Sequence, residues 1–582
     1  MIERIGMHYF KRFQEETFDL SDSIILAGPN NTGKTTLLQG IAVWHLALRK
    51  WLTERGPESR SKAKQRTGVA ITRKDFTAIP LREMNLLWTD CSTALLKDEL
   101  KEEQRLGTPR ILSIKVNGAG LEGKWSLSFE FSYQNSELIY VRPAEGTTIE
   151  EHTPIYRAVK DLQVVHVPPF SGIGAEETRY DRAYQDLLIG QGKAGDLLRN
   201  LLLEVHKQGQ DRWDELCKNI MEIFGYELLP PLYEGRPFIV CDYKPGIRHR
   251  TSSKNLPKLD IACAGSGFLQ VLMLLGFFYA RPASILLLDE PDAHLHVILQ
   301  KQVYDHLRDI ARRRSCQLLI ATHSEVLIDG TSPERIVSFF QRPHKLVSET
   351  HRDQVREALK RLTSLDLLKA DEAQNVLYVE DESSLDLLRE WAIVLNHQAR
   401  HFLNKPFCHI NQGRDLHNAR AHFFALKAIR TDIRGVLILD GDNRRLPDRE
   451  LSADGLTILR WKRYETENYL VHPEALNRFI VNLAPPLFMS ASASKGWEYL
   501  KKQIPPTVFD NPLSDHEYLD WTPASKTLLP KFFEAAGIQL SKKEYYQIAK
   551  QMKPEEIPPE IKEKLDAIYT ALELDRKISE EE

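Results

Sequence analysis

The chain has 582 residues, enough for about three or four domains, with the 42% hydrophobic and 27% charged content of an ordinary globular protein. Its 78 basic and 81 acidic side chains leave a net charge of −3, so bulk charge does not mark a nucleic-acid binder. Six cysteines without Cys-x-x-Cys or Cys/His ligand spacing argue against a disulfide framework and a zinc site, and for a reducing cytoplasm; no basic n-region precedes an apolar h-region, and no apolar run nears the roughly 20 residues of a membrane span.

The first predicted element is an apolar strand over 23–27, which runs into Gly28-Pro-Asn-Asn-Thr-Gly-Lys-Thr-Thr36 and on into a helix from 36 to about 48. Gly28, Gly33, Lys34 and Thr35 fit G-x-x-x-x-G-K-[ST] in the strand–loop–helix setting that cradles nucleotide phosphates. The glycines let backbone N–H groups turn inward, and the helix N-terminus adds partial positive charge. In this reading Lys34 reaches the β/γ-phosphates and Thr35 holds Mg²⁺, with Asn30, Asn31 and Thr36 as further nucleotide-binding positions. The expected ligand is a nucleoside triphosphate.

Residues 50–260 mix strands (111–116, 125–131) with helical patches (95–103, 196–207) and carry no sustained heptad, which predicts a compact inserted lobe and not a long arm. The longest apolar run, 268–279, reads as a buried helix. An apolar strand then ends in Asp289-Glu-Pro-Asp-Ala-His-Leu-His296. Asp289 is expected to orient the Mg²⁺ water shell, and Glu290 to polarise the attacking water. A third strand, 317–321, leads to Thr322-His323-Ser324, where His323 is placed to sense the γ-phosphate.

These three segments resemble ATP-binding-cassette ATPases of the SMC/RecF kind, and the stretch from Asp289 to His296 is especially like the RecF-type and overcoming-lysogenization-defect (OLD) groups. The resemblance implies ATP sandwiched between two heads of a homodimer or higher homo-oligomer, each completing its neighbour's site with a signature loop. The candidate loop is Cys263-Ala-Gly-Ser-Gly-Phe-Leu-Gln270, which departs from L-S-G-G-Q but keeps small residues; Ser266 and Gly267 would make the trans contact. No glutamine loop is assigned.

A second α/β unit follows a charged helical stretch over about 354–372. A strand over 376–379 closes on Glu380, an amphipathic helix covers 383–394, and a strand over 435–439 closes on Asp440-Gly-Asp442. Carboxylates at the ends of neighbouring parallel strands converge on one crevice, and an oxygen-only set suits Mg²⁺ or Mn²⁺. The arrangement resembles a TOPRIM domain over about 371–475, with Gly413 closing the intervening strand and Tyr464-Glu-Thr-Glu-Asn-Tyr-Leu470 similar to the OLD-like E-x-E-N-Y-L. By that resemblance Glu380 carries an acid/base or metal role, Asp440 and Asp442 bind metal, and Glu465 and Glu467 complete a second metal position. Asp381 stands where such strands usually continue with Gly; Asp can cap the following helix. Residues 476–582 read as a mostly helical region broken at Pro485-Pro486, Pro505-Pro506 and Pro558-Pro559, and Lys526 is the candidate for the phosphate-steadying lysine of OLD-type nucleases.

The expected architecture is therefore α/β: a RecF/SMC-like P-loop ATPase head over 1–370 with a compact insertion over about 50–260, then TOPRIM, then helices. The expected function is an ATP-hydrolysing, metal-dependent endonuclease acting on DNA in bacterial anti-phage defence, cytoplasmic, without a membrane partner and with room for a defence-system partner protein. Two rival readings stand beside it. One is a TOPRIM effector that cleaves RNA or tRNA, as in PARIS-type defence. The other is an ATP-driven sensor or scaffold with an inactive TOPRIM. Basic clusters at 248–250, 312–314, 444–445 and 462–463 read as solvated faces before they read as nucleic-acid contacts.

Overall fold

The computed structural model describes residues 1–574 except 21, 57–67, 77–78, 101–104, 106, 121–122, 148, 151–152, 246–256, 341, 411–415, 444–454 and 484–488. Gly413, Arg248–Arg250, Arg444–Arg445 and Pro485–Pro486 thus lie outside the described residues. The chain divides into two compact units, Met1–Lys360 and Arg361–Glu582. Among the described residues no helix is long and apolar enough to cross a membrane, and the six cysteines are free thiols.

The first unit holds two large sheets. Strands β1 (Ile2–Phe10), β2 (Phe13–Asp19), β4 (Val69–Thr72), β5 (Leu112–Gly120), β6 (Gly123–Asn135) and β7 (Leu138–Pro143) form an antiparallel layer in the order β2–β1–β5–β6–β7–β4. Strands β3 (Ile24–Ala27), β8 (Val164–Val167), β12 (Ile285–Asp289), β13 (Gln317–Thr322), β14 (Ile336–Ser338) and β15 (His344–Lys345) form the other, in the order β15–β14–β3–β13–β12–β8. It is parallel except where β15 turns back on β14. A small sheet joins β9 (Glu227–Leu228), β10 (Asp242–Lys244) and β11 (Leu259–Asp260).

The patterns in the sequence explain the two layers. Strands β3 and β12 are buried at every residue, as parallel strands covered on both faces must be. In β6, by contrast, Trp125, Leu127, Phe129 and Phe131 point inward with partly exposed residues between them. The helix Lys34–Arg55 touches strands of both sheets, which is why most of its residues from Leu37 to Leu48 are buried. Its Trp44 stacks on Trp125 at 5.9 Å and donates its indole N–H to the Leu127 carbonyl at 3.1 Å. Losing such an aromatic from a core costs about 3–5 kcal/mol. The buried amide of Gln317 ties the layers together: its oxygen accepts from the Ile2 N–H at 2.9 Å, and its nitrogen donates to the Ile2 and Leu20 carbonyls at 2.8 and 2.7 Å.

Much of the expected insertion is not a separate lobe. Strands β5, β6 and β7 lie inside the antiparallel layer, where β5 pairs with β1, and β8 is the edge strand of the parallel sheet. The stretch expected to be helical over 95–103 contributes only the 3₁₀ turn Lys97–Glu99 among its described residues. The apolar run 268–279 is a buried helix, Ser266–Ala280.

The second unit centres on four parallel strands, β16 (Asn375–Val379), β17 (Cys408–Ile410), β18 (Arg434–Leu439) and β19 (Leu456–Arg460), in the order β17–β16–β18–β19. It begins ten residues before the expected boundary of 371, because Ala370 of the helix Ser364–Ala373 already packs with Val376, Phe423 and Leu437. Helices from Pro473–Leu483 to Pro559–Ala571 follow the strands. They share one core with them: Val379, Trp391 and Trp461 cluster with Phe479, Phe532, Tyr545 and Ile561.

Candidate functional site

The phosphate loop leaves the C-terminal end of β3 and turns through two left-handed residues, Asn31 (φ 63°) and Gly33 (φ 109°). A Cβ on Gly33 would lie 2.8 Å from the Arg12 side chain, and one on Gly28 would lie 2.9 Å from Phe339, so both positions require glycine. The Arg12 guanidinium donates to the Asn31 carbonyl. The helix that starts at Lys34 has no side-chain cap and no acidic residue in its first turn. Its N–H groups are left for an anion. Asn30, Asn31 and Thr35 are exposed, Gly28 and Gly33 buried, and Thr36 half-buried.

Lys34 is turned onto its own loop. It is only 4% exposed, and its ammonium donates to the Gly28 and Pro29 carbonyls at 2.7 and 2.6 Å, folding over its own loop. Burial lowers its pKa, against the opposing pull of Glu290, Asp289 and Asp292. Thr35 Oγ1 donates to Asp289 Oδ1 at 3.0 Å, so the two expected Mg²⁺ positions meet. Burial, with Glu290 adding to it, raises the Asp289 carboxyl to about 6 despite the Thr35 bond.

Glu290 has φ 49°, a left-handed backbone that a non-glycine residue adopts only where its surroundings hold it. Its N–H donates to the Ala321 carbonyl at 2.9 Å, and its carboxylate lies 3.6 Å from the half-exposed His323 ring, an ion-pair distance too long for a good hydrogen bond. The pairing lowers the Glu290 pKa and raises that of His323. Sequence reasoning gave no role to Asp292. It is 4% exposed and accepts from Thr322 Oγ1 at 2.6 Å, while Thr322 Oγ1 also accepts from the Ser324 N–H at 2.9 Å. This lock fixes the loop after β12 against the end of β13; its signal, a second aspartate after Glu-Pro, was present but ambiguous. In the same unit Gly265 precedes an uncapped helix start, Ser266 is exposed, and Gly267 sits where a Cβ would come within 3.3 Å of the His294 carbonyl.

In the second unit β16 and β18 are neighbours, and the strand order reverses between them, where ligands collect in open α/β sheets. Glu380 and Asp440 follow these two strands, and the Asp440 N–H donates to Glu380 Oε1 at 3.3 Å. Asp440 Oδ1 accepts from the Thr466 N–H and hydroxyl, each at 3.0 Å. Burial first, then the Glu380 and Glu467 carboxylates, raises Asp440 to about 8. The Asp442 N–H is held by the Tyr464 carbonyl at 3.1 Å. Asp381 caps the helix Glu382–Val394 through the Ser384 N–H at 2.9 Å, offsetting the missing glycine.

The two carboxylates expected at a second metal position each have protein partners in this structure. Glu465 accepts from the Ser525 N–H, and Glu467, 1% exposed, accepts from the Ser383 hydroxyl at 2.9 Å and faces the Lys542 ammonium at 3.0 Å. Both carboxylates are buried, and partners of this kind are what a buried charge requires. Lys526 lies on the exposed face of a π-helical turn, Ala524–Leu528. The lysine that reaches the carboxylates is Lys542, also 2.7 Å from Asp381. Its neighbours pair it too far along the chain for sequence spacing to have revealed it. In the two described basic runs one residue of each turns inward while Arg312, Arg313 and Lys462 stay exposed: Arg314 lies 4.3 Å over the Tyr279 ring, and Arg463, 4% exposed, donates to the Asn468 and Pro512 carbonyls.

Residues 146–329 match the family described as "AAA domain, putative AbiEii toxin, Type IV TA system", a stretch that includes β12 and β13 and begins beyond the phosphate loop. A comparison with curated proteins yields no match. Similar solved structures include the SMC head domain from Thermotoga maritima (11% identity, TM-score 0.30, covering 58% of this chain and 94% of that one). Others are an Smc head bound to the C-terminal winged-helix domain of ScpA (15%, 0.35, 60% and 99%) and the Smc head with an extended coiled coil from Pyrococcus furiosus, bound to the C-terminal domain of ScpA (15%, 0.32, 58% and 92%). The family match and the joined Thr35–Asp289 site make the first unit an ATPase-type nucleotide-binding domain of mixed α/β build.

Proposed function

We propose that this protein is an ATP-regulated, divalent-metal-dependent endonuclease of the OLD kind, in which an SMC/RecF-like ATPase governs a TOPRIM cutting site on DNA. The observation that carries this reading is the meeting of Glu380 and Asp440 where the order of the second unit's sheet reverses, with the Asp440 backbone N–H 3.3 Å from Glu380 Oε1. The donor set there fits Mg²⁺ or Mn²⁺. It is oxygen-only, and burial first, with the neighbouring carboxylates adding to it, raises Asp440 to about 8, a cost that a divalent cation would relieve. Two carboxylates suffice, because Mg²⁺ keeps several waters and takes further oxygens from substrate phosphate. When bound, such a metal supplies charge neutralisation and an acidified water. Glu380 and Asp440 would hold it, Thr466 would aim the Asp440 carboxylate, and the 43% exposed Lys542 would steady phosphate charge.

In the first unit the open helix N-terminus and Lys34 fit a triphosphate, and Thr35 with Asp289 fits its Mg²⁺. Glu290 would hold the attacking water and pass the proton change to His323. Heads paired through Ser266 and Gly267 would complete the site as a homodimer or larger assembly. The matched family's description as a putative toxin favours a setting in defence against phage or other foreign DNA.

The test is to incubate the protein with plasmid DNA and with total tRNA, in Mg²⁺ or Mn²⁺, with and without ATP. Metal-dependent DNA cutting whose rate responds to ATP is the expected result. Cutting of tRNA alone transfers the reading to an RNA effector, and cutting of neither to an ATP-driven sensor.

A further inference from the structure

Away from the carboxylate crevice, Asp366, His409 and His422 bring one ligand atom each to within 4.8 Å of one another, the one such trio of His, Cys, Asp or Glu donors among the described residues. They come from three separate elements: Asp366 from the helix Ser364–Ala373, His409 from the edge strand β17, and His422 from the helix Leu416–Ile429. His422 is 4% exposed, and its Nε2 is buried without a hydrogen-bond partner. An orphaned ring nitrogen in a core is costly unless something fills its lone pair. Asp366 Oδ2 is 3.6 Å away, beyond a good hydrogen bond. Two ligands held about 2.05 Å from a tetrahedral zinc ion lie about 3.3 Å apart, close to that spacing.

The surroundings favour ligation as well. The other nitrogen of His422, Nδ1, is 2.9 Å from the buried Tyr378 hydroxyl, and in the tautomer that carries its proton on Nδ1 the hydroxyl accepts and Nε2 is the lone-pair donor. The His409 and His422 rings stack with centres 4.0 Å apart and planes 23° from parallel, so an ion held by both requires the half-buried His409 ring to turn about its side-chain bonds and bring a nitrogen round to it. Asp366 is oriented by the Thr363 N–H and hydroxyl at 2.9 and 2.7 Å, both on Oδ2. Lys369, one turn along the same helix, keeps its ammonium 5.9 Å from the Phe407 ring centre.

We propose that Asp366, His409 and His422 form a binding site for a borderline divalent transition metal of the Zn²⁺ class, which fastens the short edge strand β17 to its two flanking helices. Two imidazoles and one carboxylate are the donors that select such ions over Mg²⁺. Cysteine spacing gives no hint of it, because no cysteine takes part. Three protein donors leave a fourth position for water, and His409 is half-buried, so the ion has a path to solvent.

The experiment is a Co²⁺ titration of the chelator-stripped full chain, read by the visible bands of tetrahedral cobalt, with Zn²⁺ and Mg²⁺ as competitors. The wild type is expected to take up one tetrahedral Co²⁺ that Zn²⁺ displaces and Mg²⁺ does not. His409→Ala, at a half-buried ring whose removal leaves the core intact by circular dichroism, is expected to bind at least about 100-fold more weakly. Glu380→Ala is expected to keep the spectrum, which separates this site from the carboxylate crevice. His422→Gln, if folded, should match His409→Ala. A wild type without tetrahedral bands, or a folded His409→Ala that binds as the wild type does, overturns the proposal.

Discussion

The Lys542 ammonium lies 3.0 Å from the carboxylate of Glu467, a side chain only 1% exposed, so one partly solvated cation secures a buried anion beside the Asp440 crevice. Lys542→Ala is expected to leave Glu467 without its cation and to destabilise the second unit by about 1–3 kcal/mol, a value reduced because the lysine is 43% exposed. Phosphodiester cleavage should fall while ATP hydrolysis persists. Lys542→Arg should restore stability more than cleavage. Denaturant unfolding and paired rate assays check this; an Ala variant as stable and active as the wild type refutes it.

Glu290→Gln removes the base and leaves Lys34, Thr35 and Asp289 in place. It is expected to retain ATP binding and to lower hydrolysis by about 10²–10⁴-fold. Near-normal turnover would show that another group activates the water.

Lys34→Ala is expected to weaken ATP binding by at least about tenfold, measured by calorimetry. The lysine also holds two carbonyls of its own loop, so stability should drop by up to about 2 kcal/mol. Unchanged affinity in a folded variant would remove the phosphate-loop assignment.

Glu380→Ala and Asp440→Ala are expected to abolish cleavage, by at least about 10³-fold, and to leave ATPase activity largely intact. Nuclease and ATPase rates on the same preparations, titrated with Mg²⁺ and Mn²⁺, provide the check. Cleavage that survives both variants, or proceeds without divalent metal, would falsify the crevice as the cutting site.

Glu177 gives a pH test of the first unit. Burial raises its carboxyl from 4.5 to about 7, even though it accepts from the Arg199 and Asn200 N–H groups. A raised folded-state pKa means that its stabilising contribution is complete below pH 4.5 and is lost as pH rises through about 7. The loss should reach about 3 kcal/mol and be absent in Glu177→Gln. Unfolding measured from pH 5 to 8 should therefore slope downward in the wild type relative to the variant. Parallel profiles would count against it.

The candidate nucleotide site was legible as a placement because its elements are written locally: Gly28 to Thr36, Asp289 with Glu290, and His323 each lie at the end of a strand recognisable by its apolar run. Glu380 and Asp440 were legible for the same reason. What the sequence hid was pairing across distance. Strand β5 reaches β1 past about a hundred intervening residues, and no local pattern names that partner. Lys542 meets Asp381 across 161 residues, a pairing that no local pattern announces. The closure of Lys34 over Gly28 and Pro29 is set by burial, which a motif does not encode.

The core that unites β16–β19 with the later helices also governs how this fold can be inherited. Val379, Trp391 and Trp461 have their apolar neighbours in Phe532, Tyr545 and Ile561, so a cut near 475 would strip one wall from the interior and leave aromatic surface to water. The carboxylate crevice is therefore indivisible cargo. Recombination that carries it to a new protein must bring along the roughly hundred residues behind it, and the tolerated breakpoint lies ahead of the strands, near residue 360.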